Sequence, residues 1–404
     1  MKRTFTIFRS YFLVLTCIVV TSYLHSQTAY ITNQGDNTVS IINTVNNTVI
    51  KTISVDQGPT AVSVSGNGSR VYITNADNSN ISVINTSDNT VIKIIMVGSS
   101  PSGISVNGDG SRVYVANADD NSVSVINTFD NEVIKTIVVG LYPVGLSVSQ
   151  DGSHVYVTNA DGNNVSIINT LDNTVIKTIM VGKNPTGVTI NGDGSRVYVT
   201  NYDNNSVSVI NTLDNTVIKT IMVGENPTGI TVNGDGSRVY VTNFGESSVS
   251  VINTFDNMVI KTIVVGSSPA GISVNGDGSR VYVVNSDDNS VSVINTLDNT
   301  VIKTIVVGDR PISFGNFISS YKQPTAVVNI ENTDIEVYPN PTNGQINFSN
   351  IQADKIEVYD NIGKLILSED KPGNSIDISD SPSGLYNIKI QVASKTYSAK
   401  IIKK

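Results

Sequence analysis

Side chains able to do acid–base or nucleophilic chemistry are scarce in this 404-residue chain: one cysteine, Cys17, and two histidines, His25 and His154. His154 occupies a slot that holds arginine in other copies of an internal repeat (Arg70, Arg112, Arg196, Arg238, Arg280). A solitary imidazole beside a turn supports no nucleophile–base–orienter set, so no catalytic residue is assigned. Haem and zinc lack ligands, and no cofactor is expected. Carboxylates are commoner. Glu225 and Glu246 fall in loops, where a pair at glycosidase separation would cleave a polysaccharide. Asp119-Asp120-Asn121, Asp203-Asn204-Asn205 and Ser286-Asp287-Asp288-Asn289 offer oxygens that suit a structural calcium. The same Asx residues are expected in tight turns for backbone reasons alone.

These residues are positioned by a repeat of 42 residues. Tyr-Ile/Val-Thr/Ala/Val-Asn begins at Tyr30, Tyr72, Tyr114, Tyr156, Tyr198, Tyr240 and Tyr282, and a proline keeps the same interval from Pro59 to Pro311. In the unit opening at Pro227 the pattern predicts strand A (228–233), a Gly-Asp-Gly turn, strand B (238–243), strand C (248–252), an Asp-Asn turn and strand D (258–265). β-Branched residues crowd all four, and four antiparallel strands in this length make a propeller blade. The array starts at strand B and ends after a strand A, 311–319. That offset predicts a ring of seven blades, closed by pairing of the N- and C-terminal strands, because an open stack would need caps instead. A lysine in every strand D (Lys51 to Lys303) reads as a guard on the outer edge.

The A–B and C–D turns are nearly identical between copies. Variation collects in the B–C and D–A loops, which an antiparallel blade places together on the other face. Tyr142, Tyr202 and Phe244 are the expected exposed aromatics there, with Lys183, Glu225, Glu246 and Arg310 as charged neighbours. The expectation is a non-enzymatic binding, adhesion or surface-layer-type module that takes a protein or glycan. A polysaccharide hydrolase or lyase using Glu225 and Glu246 is the alternative.

Formal charge is −8, and Lys2, Arg3 and Arg9 lie in an acid-free leader. The remainder is more acidic still, which argues against nucleic acid as a partner. Residues 1–26 have the charged start and short apolar run of a secretory signal peptide. Its removal would leave no thiol, hence no disulfide. After residue 320 the repeat stops. Residues 321–334 read as a linker, and 335–404 as six or seven short strands of a small Ig-like β-sandwich.

Two resemblances follow from these motifs. The Tyr-Val-Thr-Asn strand, the Pro-Thr-Gly-Ile strand and the Asn-Gly-Asp-Gly-Ser-Arg turn resemble the YVTN family of β-propeller repeats over about residues 28–320. That likeness implies a seven-bladed propeller of a surface protein and fixes no ligand. Tyr338-Pro339-Asn340-Pro341, the stretch Val358 to Lys364, Ser383-Gly384-Leu385-Tyr386 and the basic end resemble the type A C-terminal sorting domain of the type IX secretion system. This implies contact with that machinery, export across the outer membrane of a Bacteroidota-like cell, and release or attachment to surface lipopolysaccharide.

Overall fold

The computed structural model describes residues 27–319, 337–338, 342–348, 353–360, 365–392 and 395–403. The expected leader (1–26) and linker (321–334) lie outside the described residues. The chain divides into two compact units, with the boundary between Thr325 and Ala326.

In the sheet that opens at Pro227, strands A (Pro227–Val232), B (Arg238–Asn243), C (Ser248–Asn253) and D (Met258–Val264) pair antiparallel in chain order. Six such four-stranded sheets follow a first one, built from Thr28–Asn33, Thr38–Asn43 and Thr48–Ser54. We number the seven sheets in chain order. Successive A strands touch along the inside, and strand D of sheet seven touches strand D of sheet one. The ring is therefore closed.

Strands B and C are buried on both faces because each sheet is stacked between two others. Val239, Tyr240, Val241, Val249, Val251 and Ile252 are fully buried, each contributing about 1.5–3 kcal/mol relative to exposure. The polar letters of the motif have partners. Thr242 Oγ1 accepts from Gly229 N (2.7 Å) and donates to the Ala270 carbonyl of the next sheet (3.1 Å). Asn243 Nδ2 donates to Ser248 Oγ and Ser250 Oγ, both at 2.9 Å, tying B to C. Inner strands approach closely enough that a Cβ on Gly187 would collide with the Thr228 carbonyl, which is why glycine recurs there.

Strand D is exposed, and its ladder with strand C skips Ile260, an edge bulge that discourages further pairing. The strand D lysines do more than guard that edge. Lys51 Nζ donates to the carbonyls of Asp88 (2.9 Å) and Asn89 (3.1 Å), and Lys177 Nζ to that of Asp214 (2.9 Å), each on the following sheet.

The seam departs from a regular fourth strand. Pro311 and Ile318 bridge Asn33 and Ala29 of sheet one, as closure requires. Between them the chain bows inward: Phe314 pairs parallel with Ala61 of sheet two, and Val62 N donates to the Phe314 carbonyl at 2.8 Å. Gly315, at φ 91°, allows the bow, and a side chain there would strike the Val62 carbonyl. Phe314 thereby lines the axial channel with Ile104, Leu146, Val188, Ile230 and Ile272, leaving a cavity of about 50 Å³.

Among its described residues the second unit holds two sheets. One orders Val337–Tyr338, Gln345–Phe348 and Ser375–Asp377; the other orders Leu365–Gly373, Ala353–Tyr359, Gly384–Val392 and Lys395–Lys403. Ile346, Phe348, Ile356, Val358, Ile388 and Ile390 form its core. Tyr386 Oη donates to the Pro382 carbonyl (2.5 Å), pinning the Ser-Pro-Ser-Gly turn. Pro339, Asn340, Pro341 and residues 361–364 of the sorting motif lie outside the described residues.

Candidate functional site

The B–C and D–A loops share one face of the propeller because each B–C loop is stitched to neighbouring D–A loops through the backbone. In sheet six Phe244 N donates to the Asn226 carbonyl (3.1 Å) and Gly245 N to that of Glu225 (3.0 Å). An asparagine in the left-handed region then bridges to the next sheet. Asn205 (φ 50°) accepts from Asn226 N at 2.9 Å, and Asn163, Asn121, Asn37 and Asn289 accept from Asn184, Tyr142, Gly58 and Arg310. Asparagine suits this conformation better than other side chains.

The receiving position is itself left-handed. Asn184 and Asn226 fit it, as does Gly58, but Tyr142 (φ 53°) and Arg310 (φ 46°) are bulky occupants of a slot costing such residues about 1–2 kcal/mol. Both are exposed. Tyr142 is 44% accessible beside Leu141 at 57%.

The expected site residues fall into four places. Lys183 and Tyr202 adjoin on sheet five, where Asp203 N donates to the Lys183 carbonyl (3.4 Å) and Lys183 N to Asn204 Oδ1 (2.5 Å). Glu225, Phe244 and Glu246 meet on sheet six, with Asn226 Nδ2 reaching the Tyr202 carbonyl at 3.4 Å to join the two groups. Tyr142 stands one sheet before sheet five, and Arg310 lies at the seam. Tyr202 and Phe244 are only half-exposed. Each opens a single 3₁₀ turn, Tyr202–Asn204 and Phe244–Glu246, that folds back on the D–A loop. Among the aromatics singled out, Tyr142 alone stands out from the surface.

The acid-rich loops are occupied with the fold. Asp120 Oδ2 accepts from Ser99 N (2.8 Å) and Asp288 Oδ2 from Ser267 N (2.6 Å), while Asp119 and Asp287 take the hydroxyls of Ser100 and Ser268. Among the described residues no three His, Cys, Asp or Glu side chains group so as to hold a metal ion. The face is strongly acidic, with Lys183 and Arg310 its only cations.

Sequence reasoning passed over the opposite face, formed by the A–B and C–D turns. Phe129, Leu171, Leu213, Phe255 and Leu297, the second residues of five C–D turns, are 88–94% exposed. Their signal was a large apolar residue where a turn tip is normally polar.

Comparison with known proteins fits this architecture. Residues 336–404 match the model of the secretion system C-terminal sorting domain. Residues 108–240 match that of the cytochrome D1 heme domain. Among solved structures, hydrazine synthase of Kuenenia stuttgartiensis superposes with a TM-score of 0.62 at 22% identity, covering 67% of this chain and 92% of that one. A functionally unknown protein from Desulfotomaculum acetoxidans superposes with a TM-score of 0.63 at 18% identity, covering 72% and 100%. No curated protein matches the chain.

The class is thus a β-propeller carrying a type IX sorting domain. The protein is exported to the outer surface of the cell or beyond it through that secretion route. One expectation needs correction. Scarce histidine and uniform blades suggested a non-enzyme, yet the heme-domain match and the hydrazine synthase neighbour place this scaffold among propellers of enzymes and haem proteins. The reading as a non-enzyme therefore does not stand. The matched segment holds a single histidine. This residue, His154, has Nδ1 2.7 Å from Ser153 Oγ on its own turn.

Proposed function

We propose that this exported propeller binds a macromolecular partner, a protein or a surface glycan, through its B–C/D–A loop face, and so works as an adhesive or coat-forming module. The observation that carries the reading is Tyr142. A large aromatic is held, exposed, at φ 53° in a slot where five other copies have Gly, Ser or Asn and the seam copy has Arg310. A residue kept against backbone preference and turned to solvent is best explained by what it contacts. Leu141 beside it supplies apolar area. Around the ring Lys183, Glu225, Glu246 and Arg310 add charges that specify rather than drive binding. Retention at the surface by attachment to lipopolysaccharide after sorting belongs to the same reading.

The test is saturable binding of the purified protein to whole cells and a polysaccharide panel, with reducing-end release followed in the same wells. Binding that weakens about tenfold or more in Tyr142→Asn supports the reading. Product release traced to Glu225 and Glu246 would replace it with polysaccharide cleavage.

A further inference from the structure

The turn face carries clefts at boundaries between successive sheets, and at three of these the repeat's own arginine reaches across. Arg196 Nη1 donates to the Thr254 carbonyl (2.8 Å), Arg238 Nη1 to Thr296 (2.7 Å) and Arg280 Nη1 to Thr44 (2.8 Å), each on the following sheet. The clefts beside Arg196 and Arg112 measure about 500 and 540 Å³. Between sheets four and five the residue is His154. Its ring is shorter than an arginine side chain and is tied to Ser153. That cleft measures about 840 Å³.

The surroundings that hold a guanidinium elsewhere are all present at this boundary. Thr212 and Asn215 line the cleft with Asp151 and Asp193. Asp151 is held ionised down to about pH 2 by hydrogen bonds from Ser149 and Ser153. The same turn departs from Asn-Gly at two further positions, Ser149 and Gln150, and Gln150 sits on the rim. Leu213, 92% exposed, offers an apolar edge for an aliphatic stem.

We propose that the His154 cleft is a binding site for an arginine side chain on a peptide segment of a partner protein. The incoming guanidinium takes the place that Arg196 fills one sheet further on. Its planar donors suit the carbonyl of Thr212, as Arg196 meets that of Thr254, and the carboxylates of Asp151 and Asp193 attract its charge. A lysine ammonium matches the charge but not the fork. The site lies on the face opposite to Tyr142, so the two readings stand or fall separately.

The experiment is calorimetric titration of the full-length exported protein with acetyl-Gly-Arg-Gly-amide and its citrulline and lysine counterparts. The arginine peptide should bind, and the neutral citrulline isostere should be weaker by about tenfold or more. His154→Arg restores the repeat's own clamp. It should abolish binding and raise the melting temperature, whereas Tyr142→Asn should leave binding unchanged. Equal affinity for arginine and citrulline peptides, undiminished binding in a folded His154→Arg, or no binding by any of the three would overturn the proposal.

Discussion

The two faces of this propeller are held together by different parts of the chain. On the turn face side chains do the work. Asp235 accepts from Ser237 N (2.9 Å), Thr254 Oγ1 donates to the Gly236 carbonyl (2.7 Å), and Arg238 reaches across to the next sheet. On the loop face the bonds are largely backbone to backbone, or from the backbone of the next loop to an asparagine or aspartate oxygen. Residues such as Tyr142, Lys183 and Glu225 contribute peptide groups to the frame and leave their side chains uncommitted. Uniform sequence marks the face whose side chains build the fold. Variable sequence marks the face where backbone, asparagine and aspartate build the frame and side chains such as that of Tyr142 are left outside it.

The largest expected effect lies where the faces share a frame. Asn201→Ala removes donors to Ser206 and Ser208 (3.1 and 3.0 Å) and the acceptor for Gly182 N, and should cost about 3 kcal/mol in denaturant unfolding. A loss under about 0.5 kcal/mol would mean that the buried asparagine ring is not structural. Next, Arg238→Ala should lose about 1.5–2 kcal/mol, because a charged donor to the Thr296 carbonyl disappears. Lys183→Ala on the loop face should stay within about 0.5 kcal/mol. Equal losses from this pair would break the contrast. Tyr142→Asn should move the other way, gaining about 1 kcal/mol by relieving a left-handed tyrosine.

Acid should separate the faces more gently. Hydrogen bonds, chiefly from Ser111, Ser149, Ser195 and Ser237, hold Asp109, Asp151, Asp193 and Asp235 below the usual carboxylate range, with Asp151 at about 2. Folded values below the unfolded ones mean that this stability is present above about pH 4 and lost as pH falls toward 2. Melting followed from pH 6 to 2 should show that loss, diminished when Asp151 is replaced by Asn. These groups are close to solvent, so each contribution is small.

Much of the ring was legible because the repeat phases three signals together. The strands read for the Pro227 unit match those observed within a residue or two, since Gly-Asp-Gly and Asp-Asn fix where chain reversal falls. What local pattern could not show was geometry between repeats. The seam residues Ile312–Phe317 bow into the channel, where Phe314 pairs with Ala61 of sheet two. Tyr202 and Phe244 looked exposed by loop position, but a 3₁₀ turn tucks both against the D–A loop. His154 was read as a turn variant. Only the packed neighbours reveal that the arginine it replaces spans two sheets.

The central claim is the proposal that exposed loop-face side chains such as Tyr142 and Arg310, which stand outside the fold, serve to engage a partner. Binding of the full-length protein to the cell surfaces or glycans it recognises should be measured for Tyr142→Asn, for Arg310→Asn and for Arg238→Lys as a turn-face control, with melting curves alongside. The account predicts binding at least about tenfold weaker in the first two at equal or higher stability, and unchanged binding in the control. Unchanged binding in the loop-face pair, or loss only in step with stability, would contradict it.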